Sequence, residues 1–276
     1  MEDRLIADAL QRLLQAECTP SHVRAIEAGG SAQALWDALD DAGFADAMLA
    51  QAQGGAGLSL GQAFSLFELC GRFALPLPLA DTMVVRAWLG AQGAPLPAGP
   101  VDLSQPESAW RPTVATAPFD ALALQACLYA AQIAGAMQRV LDMTLQYANQ
   151  RVQFGRPIGK FQAIQHQLAV MAEQALAARM AAQIGCASSG LLPDRLRAAI
   201  AKARTSEAAV EVAALSHSIH GAIGFTHEFD LQIYTRRLHH WRLKAGSESH
   251  WHDVLGAALV DDHAGLALDL IRQTTD

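Results

Sequence analysis

Four stretches of this 276-residue chain place chemically capable side chains at spacings worth weighing. Gly57-Leu58-Ser59-Leu60-Gly61 matches the G-x-S-x-G pattern of a hydrolase, whose nucleophile sits on a sharp turn after a buried strand. The preceding residues 45–53 are rich in alanine and glutamine, so no such strand is expected. Ser59 with Gln62 reads instead as a capping box at the start of a helix. His239-His240 and His250-Trp251-His252-Asp253 suggest metal ligands, but side chains converge on a helix only at spacings of three or four. No metal site is expected there. Gly221-Ala222-Ile223-Gly224 lacks the strand and third glycine of a dinucleotide loop, and reads as a helix stop in which Gly221 or Gly224 takes positive φ. The fourth stretch, residues 151–159, sets Arg151, Phe154 and Arg156 among Gly155, Pro157 and Gly159. Glycines let the chain reverse and arginines can reach a phosphate. Equally, Arg151 can simply offset the negative end of the preceding helix dipole.

These stretches need elements to hold them. Hydrophobic residues make up 51% of the chain, charged residues 17%, and the net charge is -7, which describes a globular protein without the basic surface of a nucleic-acid binder. Cys18, Cys70, Cys127 and Cys186 form no CxxC pair, and no signal peptide opens the chain, so a reducing cytoplasm is expected. The apolar run 121–137 is broken by Gln125 and Gln132, which makes it a core helix and not a membrane span. The first 90 residues show helical periodicity between turn signals at Thr19-Pro20, Gly29-Gly30, Gly43 and Gly54 to Gly57. A helix is predicted from about Leu60, with Phe64, Phe67, Leu69 and Phe73 as its apolar stripe. Residues 94–119 are dense in proline and predict a linker with room for one short strand. Beyond it, helices are predicted over 121–149, 161–184, 194–217 and 228–240, with a shorter pair past Ser247, joined by short connections as in an antiparallel bundle. The expected fold is mainly α: an N-terminal helical domain (1–93), a proline-rich linker (94–119) and a C-terminal helical bundle (120–276).

Two dense segments resemble the acyl-CoA dehydrogenase family. Residues 147–179 are similar to its R-x-x-FG-x-x-I-x-x-FQ-x-x-QH-x-LA-x-M signature, and residues 218–237 to its HG-x-IGFT-x-E-x-D-x-x-x-Y-x-R-R segment. The stretch from Gln53 to Pro78 is similar to the family's helical first domain. The resemblance implies an FAD flavoprotein that removes hydrogens from the α and β carbons of an acyl-CoA thioester. It implies cofactor contacts from Arg151 to the FAD pyrophosphate across a subunit interface, from Phe154 and Gln162 lining that pocket, from Gly221 and Gly224 closing over the adenosine, and from Gly246 and Ser247 near the adenine. At Ser218 the family often has glutamine. Two departures stand out: the linker replaces the family's middle β-domain, and the positions of its alternative catalytic glutamates are held by Gln125 and Ala245. No catalytic residue is therefore carried over, and Glu248 is expected to be a solvated carboxylate. Some members of the family are α2β2 assemblies in which one subunit type gives up part of the flavin site. The resemblance accordingly implies a reduced subunit that shares FAD with a full-length acyl-CoA dehydrogenase partner. The alternative is a degenerate homodimeric scaffold or acyl-CoA-binding protein without catalysis.

Overall fold

The computed structural model describes residues 2–106, 119–262 and 265–275, and among them nearly all regular structure is helical. Five helices precede the linker: α1 (Glu2–Glu17), α2 (Pro20–Glu27), α3 (Gln33–Asp41), α4 (Leu60–Arg72) and α5 (Leu79–Gly90). Six follow it: α6 (Ala121–Gln150), α7 (Gln162–Cys186), α8 (Arg195–His220), α9 (Leu231–Trp241), α10 (Glu248–Ala257) and α11 (Ala267–Thr275). The strands are the two-residue pair β1 (Val152–Gln153) and β2 (Arg156–Pro157), a hairpin between α6 and α7. The middle β-domain is thus largely missing, as expected. Of the predicted linker, 107–118 lies outside the described residues, and 94–106 carries no strand.

Local chemistry sets the helix starts. Thr19 accepts from the His22 N–H with Pro20 in the first turn, and Ser59 and Gln62 form the reciprocal capping box. Asp120 and Asp194 accept from Ala123 and Arg197 at the heads of α6 and α8. Ser59 is therefore a cap, and no strand leads into it. The helix predicted from residue 228 begins only at Leu231. Thr226 folds back onto the Ile223 carbonyl, and Asp230 at the helix head spends its carboxylate on Arg24 of α2, 2.5 Å away.

The bundle runs α6 up, α7 down, α8 up. Arg195 at the head of α8 pairs with Asp120 at the head of α6, while at the far end the Tyr147 hydroxyl of α6 donates to the His220 carbonyl of α8. The N-terminal unit joins this core through α4. Gly71 and Gly135 let α4 and α6 touch backbone to backbone, because a Cβ on Gly71 would lie 1.9 Å from the Gln132 carbonyl oxygen and one on Gly135 1.9 Å from that of Glu68. Helix α5 is buried along its whole length. Its Arg86 is 5% exposed and paired with Asp40 and Asp46, while Thr82 and Asp81 accept the N–H groups of Val101 and Leu103 and so strap 94–106 onto the helix.

Candidate functional site

The residues singled out from sequence fall in two places. Arg151 ends α6, with its N–H on the Tyr147 carbonyl and its carbonyl on the Ile158 N–H. Its guanidinium is exposed and makes no hydrogen bond or ion pair with any described residue. Phe154 and Gly155 form the hairpin turn at φ +51° and +78°, which throws the phenyl ring outward, 93% exposed. Arg156 folds over Phe161, 4.2 Å from the ring centre. Gln162 opens α7 and is exposed.

The end of α8 meets the same end of the bundle. His220 stacks on Tyr147, one helical turn before Arg151, at 4.4 Å. Burial holds both His217 and His220 below the usual histidine range, so each ring is neutral near pH 7. His220 therefore donates Nδ1–H to the Ser216 carbonyl at 2.8 Å, which leaves its buried Nε2 a bare acceptor. Gly221 then reverses the chain at φ +65°, and Gly224 lies so close to the histidines that a Cβ would come within 3.0 Å of His220 and 3.1 Å of His217. Gly221 thus supplies the positive φ that the helix-stop reading expects, while Gly224 is required for a steric reason that reading did not foresee.

Gly246 and Ser247 lie elsewhere. Their turn joins α9 to α10, beside Lys202 of α8, and the 18 residues separating Lys202 from His220 put it about 27 Å down the helix from the Arg151 end. Ala245 and Gly246 take positive φ there, +54° and +87°, and Ser247 caps α10. Lys202 is wholly buried. Its Nζ bonds the Arg242 carbonyl at 2.7 Å, the Ser206 hydroxyl at 2.9 Å and the Gly246 carbonyl at 3.0 Å. Burial pushes this amine down to about 7, against the pull of Glu248. Both protonation states satisfy the same three partners, since a neutral amine gives two N–H bonds and can accept from Ser206. Sequence reasoning missed Lys202; its only signal is a lone charge in the alanine-rich face of α8.

Glu248 is no base in waiting. It is ion-paired with Arg242, and although burial alone would raise it, the hydrogen bonds from Arg242 and its own backbone hold its carboxyl below the ordinary glutamate value. The solvated carboxylate expected from sequence is a partly buried, paired one. At the two positions to which the resemblance in sequence assigns a base, Gln125 carries an amide and Ala245 a methyl. The histidines do not assemble either: His252 faces Glu207 at 3.4 Å, His250 stands edge-on to Trp251, and among the described residues no three potential ligands converge.

The family model for the acyl-CoA dehydrogenase C-terminal domain matches residues 117–259, more than half of the chain, and that for the N-terminal domain matches residues 1–94. The chain belongs to the acyl-CoA dehydrogenase family. Its relatives include acyl-CoA dehydrogenase IpdE2 of Mycobacterium tuberculosis, 28% identical over 293 residues that cover 86% of this chain and 91% of the relative. In fold, this acyl-CoA dehydrogenase family chain is similar to a variant of the Tcur3481-Tcur3483 steroid ACAD, with TM-score 0.79, 22% identity, and coverage of 96% of this chain and 99% of that one. It is also similar to a chain of the ChsE4-ChsE5 complex from Mycobacterium tuberculosis, with TM-score 0.77, 18% identity, and coverage of 95% and 98%. Among the described residues no helix is long and apolar enough to cross a membrane.

Proposed function

We propose that this chain is the reduced subunit of a hetero-oligomeric acyl-CoA dehydrogenase of the cytoplasm, lending an FAD-binding half-site to a full-length partner that supplies the base and the flavin-ring pocket. The observation that carries the reading is the exposed Arg151 guanidinium, unpaired among the described residues, beside an outward Phe154 of the hairpin, at the bundle end that also carries the Gly221–Gly224 turn. A permanently charged fork donor with no partner among the described residues suits a pyrophosphate. FAD, when bound, supplies the hydride acceptor for α,β-dehydrogenation of an acyl-CoA thioester. The residues fit its adenylate end: Arg151 would meet the phosphates, Phe154 and Gln162 would line the pocket, and the Gly221–Gly224 turn would close over the adenosine. Its ring end lacks the middle β-domain that would hold it, and Gln125 and Ala245 offer no carboxylate to take the substrate's α-proton. Gly246 and Ser247 would contact the cofactor from a turn about 27 Å along α8 from His220.

The assignment of the partner draws support from the complex-forming neighbours in fold. Co-expression with a full-length dehydrogenase, followed by flavin absorbance and acyl-CoA-dependent reduction of an electron acceptor, tests it. One flavin per heterodimer, with activity that needs both chains, is the expected result. A yellow, active protein from this chain alone would overturn the proposal, and a stable homodimer indifferent to the partner would favour the scaffold reading.

A further inference from the structure

Between the end of α2, the α4–α5 loop, α5, α6 and α9 lies a cavity of about 370 Å³, the size of a small-molecule pocket. The cofactor half-site does not use it, because about 28 Å of α6 separates Gln132 on its wall from Arg151. Residues 75–78 give the cavity an apolar side, and Asp81, Asp102, Tyr129 and Gln132 a polar one. That polar side is short of partners. Asp81 is 7% exposed, and its one hydrogen bond among the described residues comes from the Leu103 N–H at 3.1 Å. Burial pushes its carboxyl up to about 7, so below that pH it has an O–H to donate. The Tyr129 hydroxyl bonds no described residue, and burial, with Asp81 and Asp102 nearby, raises its phenol above the ordinary tyrosine value. Gln132 sends an amide N–H back to the Leu128 carbonyl at 3.4 Å, which leaves its amide oxygen unmet. Charge at the rim is already balanced: Glu27 holds Arg237 at 3.1 Å, and Arg237 gives another N–H to the Leu75 carbonyl. No cation is left over on the lining for an anionic ligand, and Asp102 opposes one. A plain hydrocarbon would strip water from the polar wall and return no hydrogen bond. Oxygens on a neutral ligand accept from Tyr129 and Asp81, and a ligand hydroxyl donates to Gln132.

We propose that this cavity binds a neutral group carrying hydroxyl or keto oxygens, either a free cyclic alcohol or ketone or the oxygenated far end of an acyl chain, and that Asp81, Tyr129 and Gln132 set that preference. Gln125, one turn before Tyr129 on α6, is an amide, so the chain holds such a group without drawing a proton from it. The assignment goes beyond the half-site reading and does not depend on it. The test uses the full chain and ligand-observed NMR titrations with cyclohexanediol, its anionic match hydroxycyclohexanecarboxylate and its cationic match aminocyclohexanol. The diol should saturate a site, and the two charged probes should bind about tenfold more weakly or not at all. Because the Tyr129 hydroxyl has no partner in the fold, Tyr129→Phe leaves the chain folded, and with Gln132→Leu it should weaken the diol by about twofold to tenfold, the loss of one hydrogen bond. No saturable diol binding, or a diol constant unchanged in both variants, overturns the proposal. Tighter binding of either charged probe overturns the neutral class. Coenzyme A thioesters separate the two sources: a preference for hydroxycyclohexanecarbonyl-CoA over cyclohexanecarbonyl-CoA that disappears in Tyr129→Phe supports the acyl end, and its absence beside Tyr129-dependent diol binding supports the free molecule.

Discussion

Lys202 and Asp81 are ionisable groups that the fold buries and whose protonation it changes. Lys202 closes the α9–α10 turn by bonding the carbonyls of Arg242 and Gly246. Lys202→Met keeps the volume but strands both carbonyls, and should lower unfolding free energy by about 1 to 3 kcal/mol, read from urea denaturation. Asp81 accepts the Leu103 N–H at 3.1 Å, and its burial, partly offset by that bond and reinforced by Asp102, pushes its carboxyl up to about 7 from 3.8. The native chain therefore keeps a proton that the unfolded chain releases between those pH values, so this residue makes the fold less stable as pH rises from about 4 to about 7, and by a constant amount above. Asp81→Asn retains an acceptor for Leu103 and removes the ionisation. It should stabilise the protein at pH 8 by about 2 to 4 kcal/mol and leave it nearly unchanged at pH 4, and denaturant titrations at the two pH values check this. Neither group was legible in the sequence, because burial of a charge depends on what packs over it. The caps at Thr19, Ser59, Asp120 and Asp194 depend only on neighbours two or three residues away, so the sequence could show the caps' setting.

Among the elements, α4 and α6 meet backbone to backbone at Gly71 and Gly135. Gly71→Ala or Gly135→Ala inserts a methyl group where the other helix already has a carbonyl, so the helices must separate. Each should cost about 3 kcal/mol or more, visible as a lowered midpoint of chemical unfolding, and a variant as stable as wild type would mean that the helices do not meet so closely. Periodicity announces which face of a helix is apolar but not how near its neighbour comes, and these two glycines look like mere helix-weakening residues until the partner is in view. The cysteines make the same point. Cys127 and Cys186, 59 residues apart in sequence, bring their sulfurs to 2.9 Å between α6 and α7. All four cysteines are free and buried. Burial pushes the Cys18 thiol up to about 12 and raises Cys70 further, while the Cys186 contact and burial raise Cys127. Since the thiolate is the reactive form and Cys186 is shielded by complete burial, iodoacetamide at pH 8 should label none of them in the folded protein and all four after denaturation, as counted by intact mass.

At the scale of the molecule, α7 leaves Leu176 and Met180 exposed by 60% and 56%, and α6 leaves Leu145 at 38%. Helical faces of this kind invite another subunit. Purified alone, the chain should be colourless and self-associate. Sedimentation showing a stable monomer at micromolar concentration, or stoichiometric bound flavin, would contradict that expectation.

The place where the β-domain is missing also explains how it could be lost. On the upstream side Val101 and Leu103 are buried and bonded to Thr82 and Asp81 of α5; on the downstream side the Phe119 ring rests 4.7 Å from that of Trp88, also on α5. One helix therefore receives the chain on both sides of the gap. Segments whose two ends share an anchor can be lengthened, shortened or exchanged without disturbing what they leave behind. By contrast, the α4–α6 contact has no room even for an added methyl group, because the two backbones already touch at Gly71 and Gly135. The architecture behaves as a fixed frame with one removable cassette, and α5 is the socket.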